Sequence, residues 1–176
     1  YPRTHDLPPF SVATGWMAWC HGTVKPPAPG RYRFWGYADN HLLVAIDGTP
    51  VFEGSRYDSN LTKLAIPRTN HPAIPCLNAT AGFASGQWVE LTGAPIQLDI
   101  LFGESAGDRT SGLLLIEKEG ASYEETYWGQ PKWPVFLVNK PNREGAAELR
   151  LLRRYLEEKL MGSFSLDNSA IWQAQR

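Results

Sequence analysis

The chain carries only two cysteines, Cys20 and Cys76, in 176 residues. So few support neither a disulfide framework nor cysteine-based metal binding. The two either form one disulfide or are buried thiols acting as small apolar filler. No apolar run approaches the length of a membrane span, and no signal peptide opens the chain. Membrane insertion is therefore not expected. A formal net charge of −1 supplies no field for nucleic acid or for a charged membrane surface. His5, His21, His41 and His71 are scattered, with no His-Glu-x-x-His spacing for zinc. No serine stands in a Gly-x-Ser-x-Gly elbow, and the Gly-rich run at 103–112 lacks the Lys-Ser/Thr ending of a phosphate cradle. No catalytic set is nominated, so no enzymatic activity is expected.

What is present points to short strands. Hydrophobic residues make up 43% of the chain, enough for a packed core, and 16 glycines with 14 prolines supply many tight turns. Aromatics reach 12%, including seven tryptophans, an excess that suits either a core or a sugar-stacking surface. The chain begins at Tyr1 rather than Met, which reads as the mark of a processed protein or of a piece of a longer one.

The organising stretch is residues 30–54, GRYRFWGYADNHLLVAIDGTPVFEG. In its first run, Tyr32, Phe34, Gly36 and Ala38 fall on one face and Arg31, Arg33, Trp35 and Tyr37 on the other, the period-2 signature of a strand. Asp39-Asn40-His41 breaks the run. Leu42 to Ile46 is almost wholly apolar, as a doubly buried strand would be. Asp47-Gly48 signals a two-residue hairpin, and Val51-Phe52 starts a third strand. Together these predict a meander at the centre of the fold.

Upstream, residues 1–14 read as an extended lead-in. Residues 15–21 (GWMAWCH) read as a first strand, with Trp16, Ala18 and Cys20 facing one way and Met17, Trp19 and His21 the other. A Pro-rich connection follows at 22–30. Residues 55–87 show no periodicity, and so long an irregular segment suggests a functional loop or hidden short elements. Asn60-Leu61-Thr62 and Asn78-Ala79-Thr80 match the glycosylation pattern, which is common by chance. Strands return at 88–91, at 96–102 (Ile96, Leu98, Ile100 and Phe102 inward) and at 113–118. Residues 121–140 form an irregular aromatic segment expected to pack over a sheet end. From 144 to 161, Leu149, Leu152, Leu156 and Leu160 recur at helical spacing, with Leu151 and Tyr155 widening the stripe. Asn142 can cap this helix and Gly162 can end it. Residues 167–176 are left as a short helix or a disordered end.

The ordered series Gly30-Arg31-Tyr32-Arg33-Phe34, Ala38-Asp39-Asn40, Ile46-Asp47-Gly48, Leu91, the run 96–102, Glu104 and the strand 113–117 resembles the PA14 domain family. This β-rich module is named after anthrax protective antigen and occurs also in yeast adhesins and some β-glucosidases. The resemblance spans roughly residues 15–120. It implies a mainly β protein, an antiparallel sandwich or barrel with loops at one end, to which the C-terminal amphipathic helix is an addition. The expected division is residues 1–140 for the β-domain and 141–176 for a helical extension packed on it.

In sugar-binding members two adjacent acidic residues at the strand corner hold a Ca²⁺ that ligates sugar hydroxyls. Asp39 and Asn40 occupy that corner here, with Asn in place of the second acid. They are the candidate metal ligands, with calcium the implied cofactor; the alternative is that both simply cap the corner. Glu104 and Asp108 are candidate loop acids, and Asp99 reads as a surface residue. Tyr57 and Phe83, in the irregular segment, are the candidate sugar-stacking aromatics, whereas Trp35 and Tyr37 either stack on sugar or pack beneath another segment. The expected function is a binding module on an exported or cell-surface protein. Its expected partner is carbohydrate or, alternatively, another protein or domain of the same chain. The oligomeric state is not addressed.

Overall fold

The structure is a computed structural model. It describes residues 15–56, 60–64, 67–69, 83–105, 112–126, 129–140, 142–160, 165 and 170–175. The expected lead-in at 1–14, and the residues Tyr57, His71, Cys76, Asn78, Asp108 and Gly162, lie outside these.

Two antiparallel sheets face each other in a sandwich-like arrangement. The first contains β1 (Trp16–Lys25), β3 (His41–Ile46), β4 (Thr49–Glu53), β8 (Ile96–Glu104) and β10 (Gln173–Ala174), in the order β10-β1-β8-β3-β4. The second is built on β2 (Gly30–Ala38), with β9 (Gly112–Lys118) along one edge. β7 (Val89–Leu91) and β6 (Phe83–Ser85) share its other edge, and β5 (Arg68–Thr69) pairs with β6.

The organising stretch is divided between the two sheets. β3 and β4 form the expected hairpin, with Asp47 at φ 48° and Gly48 at φ 76° in the turn. β2, however, belongs to the opposite sheet, so residues 30–54 are not one meander. Asp39-Asn40 is the point at which the chain crosses between sheets.

This crossing explains the alternation in β2, because both of its faces are buried. Tyr32, Phe34 and Ala38 enter the inter-sheet core beside Leu42, Val44, Phe52, Leu98 and Ile116. Trp35 and Tyr37 form a second cluster on the outer face with Phe83, Leu115 and Trp133. The rings of Trp35 and Trp133 stack at 4.2 Å and 14°. Gly36 lies where β9 crosses closely: at φ 155°, a Cβ there would sit 2.0 Å from the Leu113 carbonyl oxygen. The segment 131–138 thus runs beside β9, contributing Trp133 to the outer cluster and Phe136 to the inner one. It pads the open edge of that strand rather than covering a sheet end.

Three further differences have local causes. β1 continues to Lys25, through residues expected to be a connection, because its pairing with β8 persists to Val24. The irregular stretch 55–87 contains β5 and β6, too short to show periodicity. The described residues near the chain's end, 171–174, are anchored on the sheets. Trp172 is 0% exposed and packs on Tyr32, Phe34 and Phe136, while β10 pairs with β1. Residues 171–174 therefore pack on the β-domain.

The helix α1 (Arg143–Leu160) forms as expected. The Asn142 carboxamide oxygen accepts the Gly145 N–H at 2.8 Å, the capping bond that satisfies an orphan donor. Leu151, expected in the apolar stripe, is 69% exposed. Among the described residues, no helix is long and apolar enough to cross a membrane.

Candidate functional site

The crossing between β2 and β3 gathers three of the expected site residues. Asn40 is buried, and its side-chain oxygen accepts the Ser105 N–H at 2.8 Å. Its amide nitrogen donates to the Asp39 carbonyl at 3.2 Å, and its own carbonyl accepts the Arg56 N–H at 2.8 Å. Glu104, which ends β8, is also buried. Asp39 is half-buried at the turn itself. Asn40 therefore ties the end of β8 to the crossing and to residue 56, the capping role open to Asx residues. Glu104, a candidate ligand-binding loop acid, is the buried end of β8.

Calcium requires about six to eight oxygen ligands. The Asn40 oxygen is already occupied by a backbone donor, and among the described residues no group of three or more His, Cys, Asp or Glu side chains comes together. The described part of the corner does not by itself complete a calcium shell.

The stacking candidates separate differently. Tyr57 lies outside the described residues. Phe83 is 0% exposed, sealed against Trp35 and Trp133 at 6.0 and 6.5 Å. It has no face to offer a ligand. Phe83 opens the short strand β6, which pairs with β2 and so sets its ring against Trp35 and Trp133.

An exposed aromatic does occur, on the outer face of the first sheet. Strand alternation places Met17, Trp19 and His21 of β1 outward, and the register sets Trp19 beside Leu101 and His21 beside Asp99. Trp19 is 66% exposed and Met17 48%. The indole is nevertheless held: Trp19 Nε1 donates to Asp99 Oδ1 at 2.8 Å, and its ring lies 5.2 Å from that of His21. His21 Nδ1 approaches the same oxygen at 2.7 Å. The His21 hydrogen bond, then that from Trp19, holds the Asp99 carboxyl below the usual carboxylate range, because both stabilise its charged form. Both bonds use Oδ1, so Oδ2 remains available as an acceptor.

The Met17-Trp19-His21 alternation was readable in the sequence. Its pairing with Asp99, 78 residues beyond His21, was not. No protein-family model, curated protein or solved structure matches this chain.

Proposed function

We propose that the chain is a non-catalytic binding module on a PA14-like scaffold, recognising carbohydrate for an exported or cell-surface protein. Trp19 carries this reading. A large, rigid, exposed indole with a fixed orientation suits the C–H face of a sugar ring. The ring's hydroxyls need polar partners at the edge of that platform, and Asp99 Oδ2 and the His21 imidazole stand there. Because these groups are ordered by one another, little conformational freedom is lost on binding. Contact through Trp19 needs no metal. Calcium at Asp39 and Asn40 would act separately, with further ligands from elsewhere.

A glycan array followed by calorimetry tests this. Binding of at least one glycan is expected, lost in Trp19→Ala, weakened in Asp99→Asn and unchanged by chelator. Binding of no glycan, or binding that survives Trp19→Ala, overturns the reading. A concentration-dependent dimer that Trp19→Ala dissolves, without glycan binding, would instead mark the Met17–Trp19 face as a protein-docking surface.

A further inference from the structure

The first sheet ends differently on its two sides. Beyond β4, the Gln87 N–H donates to the Val51 carbonyl at 3.0 Å, and Pro50 stands within the strand itself. In the second sheet, residues 131–138 pad the far edge of β9. Among the described residues, β1 has no such cover over most of its length. β10 pairs with it only at Val24 and Lys25, and the Gln175 N–H donates to the Thr23 carbonyl at 2.9 Å.

An antiparallel strand turns the N–H and C=O of alternate residues to the same side. The bond at Thr23 therefore fixes which residues of β1 face this edge: Met17, Trp19, His21 and Thr23. Ala18, Cys20 and Gly22 direct theirs to β8. Among the described residues, no strand lies against Met17, Trp19 and His21 on the open side. Such an edge is a template for another strand, and proteins usually guard it with proline or charge. Residues 16–22, WMAWCHG, contain no Pro, Lys, Arg, Asp or Glu. Both ends of this run are marked: Gly15, at φ 71°, bends the chain before it, and β10 takes up the edge after it.

We propose that this edge pairs with the same edge of a second copy of the chain, antiparallel about a twofold axis at Trp19. The open run is its own complement. With Trp19 opposite Trp19, residue 16 meets residue 22, and the pairing fits between the Gly15 bend and β10 on both copies. Met17 then meets His21 and Trp19 meets itself as pairs that exchange two backbone bonds each. No like charges meet. Ala18 stands opposite Cys20, and Trp16 opposite Gly22. Gly22 borders a hollow of about 310 Å³, walled also by Cys20, Val24, Ile100 and Val138, and nothing lies within 4 Å of where its Cβ would stand. The half-buried Trp16 of the second copy would cover that bare glycine, as an aromatic does across from an edge glycine. A twofold pairing uses both edges at once, so it closes as a dimer and does not propagate. The bonds are those of the backbone, so this dimer does not rest on the sugar reading. It sets the two Trp19 rings side by side on one outer face.

Sedimentation of the full chain from micromolar to millimolar concentration tests this. A monomer–dimer equilibrium is expected. Met17→Pro removes an edge-facing N–H without removing a bond to β8, and should raise the dimer dissociation constant about tenfold or more. Where that variant folds poorly, a cross-link decides. In Ala18→Cys the new thiol stands opposite Cys20 of the second copy, in a pair with Cα atoms about 4.5 Å apart, within disulfide reach. With Cys76→Ser in the background and glutathione disulfide as oxidant, it should trap a covalent dimer on non-reducing electrophoresis. Met17→Cys places its thiol on the other face from Cys20 and should not. A monomer at every concentration, open-ended oligomers, or equal trapping by the two cysteine variants would each overturn the proposal, as would a dimer indifferent to a folded Met17→Pro. Glycan binding by a chain that stays monomeric would overturn it too, and would leave the Trp19 site standing.

Discussion

Trp19 presents two-thirds of its surface to solvent, yet its indole N–H is fixed to Asp99 Oδ1 at 2.8 Å. The carboxylate that orients the ring belongs to a different strand, β8, which lies beside β1 along nearly its whole length. The platform is thus as rigid as the sheet beneath it. In the proposed binding mode, replacing Asp99 by Ala removes the acceptor of the indole N–H and should lower glycan affinity about tenfold, with little loss of stability because the group is at the surface.

The same pair sets a pH dependence. The folded Asp99 pKa lies below its unfolded value, through its bonds from His21 and Trp19. Its contribution to stability is therefore complete above the ordinary carboxylate pKa of about 4 and is lost as pH falls through the lower, folded value. Acid unfolding followed by tryptophan fluorescence should show the wild type gaining on Asp99→Asn as pH rises through that window. Curves that stay parallel there would contradict the linkage.

Asn40 is expected to matter for stability rather than for ligand. Asn40→Ala removes the acceptor for the Ser105 N–H at a part-buried corner, which should cost about 0.5–1.5 kcal/mol in urea unfolding. Glycan affinity through Trp19 should be unchanged. A variant that folds normally but loses sugar binding would return the site to the Asp39-Asn40 corner.

Gly36→Ala forces a methyl group into the Leu113 carbonyl, which lies 2.0 Å from its position. Neither strand can yield easily, since β2 is flanked on both edges. A loss of about 3 kcal/mol is expected from thermal or denaturant unfolding. An unchanged midpoint would show that β9 is less closely packed on β2.

Trp133→Ala should cost about 3–5 kcal/mol, the usual range for emptying a large buried aromatic site. It removes the ring stacked at 4.2 Å on Trp35 and uncovers Phe83. The β6 backbone should then open more readily, which hydrogen exchange at its amides should register as faster exchange.

Much of the scaffold was legible because strands and helices impose short periods. The two faces of β2, the apolar run of β3, the Asp47-Gly48 turn, the inward set on β8 and the Asn142 cap all depend on residues close together in sequence. β5, β6 and β10 escaped notice because two or three residues cannot display a period. Phe83 shares this cause: a single aromatic between irregular residues carries no strand signal until its pairing with β2 is formed.

The sequence by itself determined which residues alternate, where the chain turns and where it becomes helical, since these follow from backbone geometry and local side-chain chemistry. It placed Trp19 and His21 on one face of a strand. Only the tertiary structure decided that the chain changes sheets at Asp39-Asn40, that Trp172 closes the core from the far end, and that Asp99 meets Trp19. Each of those joins residues far apart along the chain. They are settled by how two sheets can bury their apolar faces against one another, not by any local pattern.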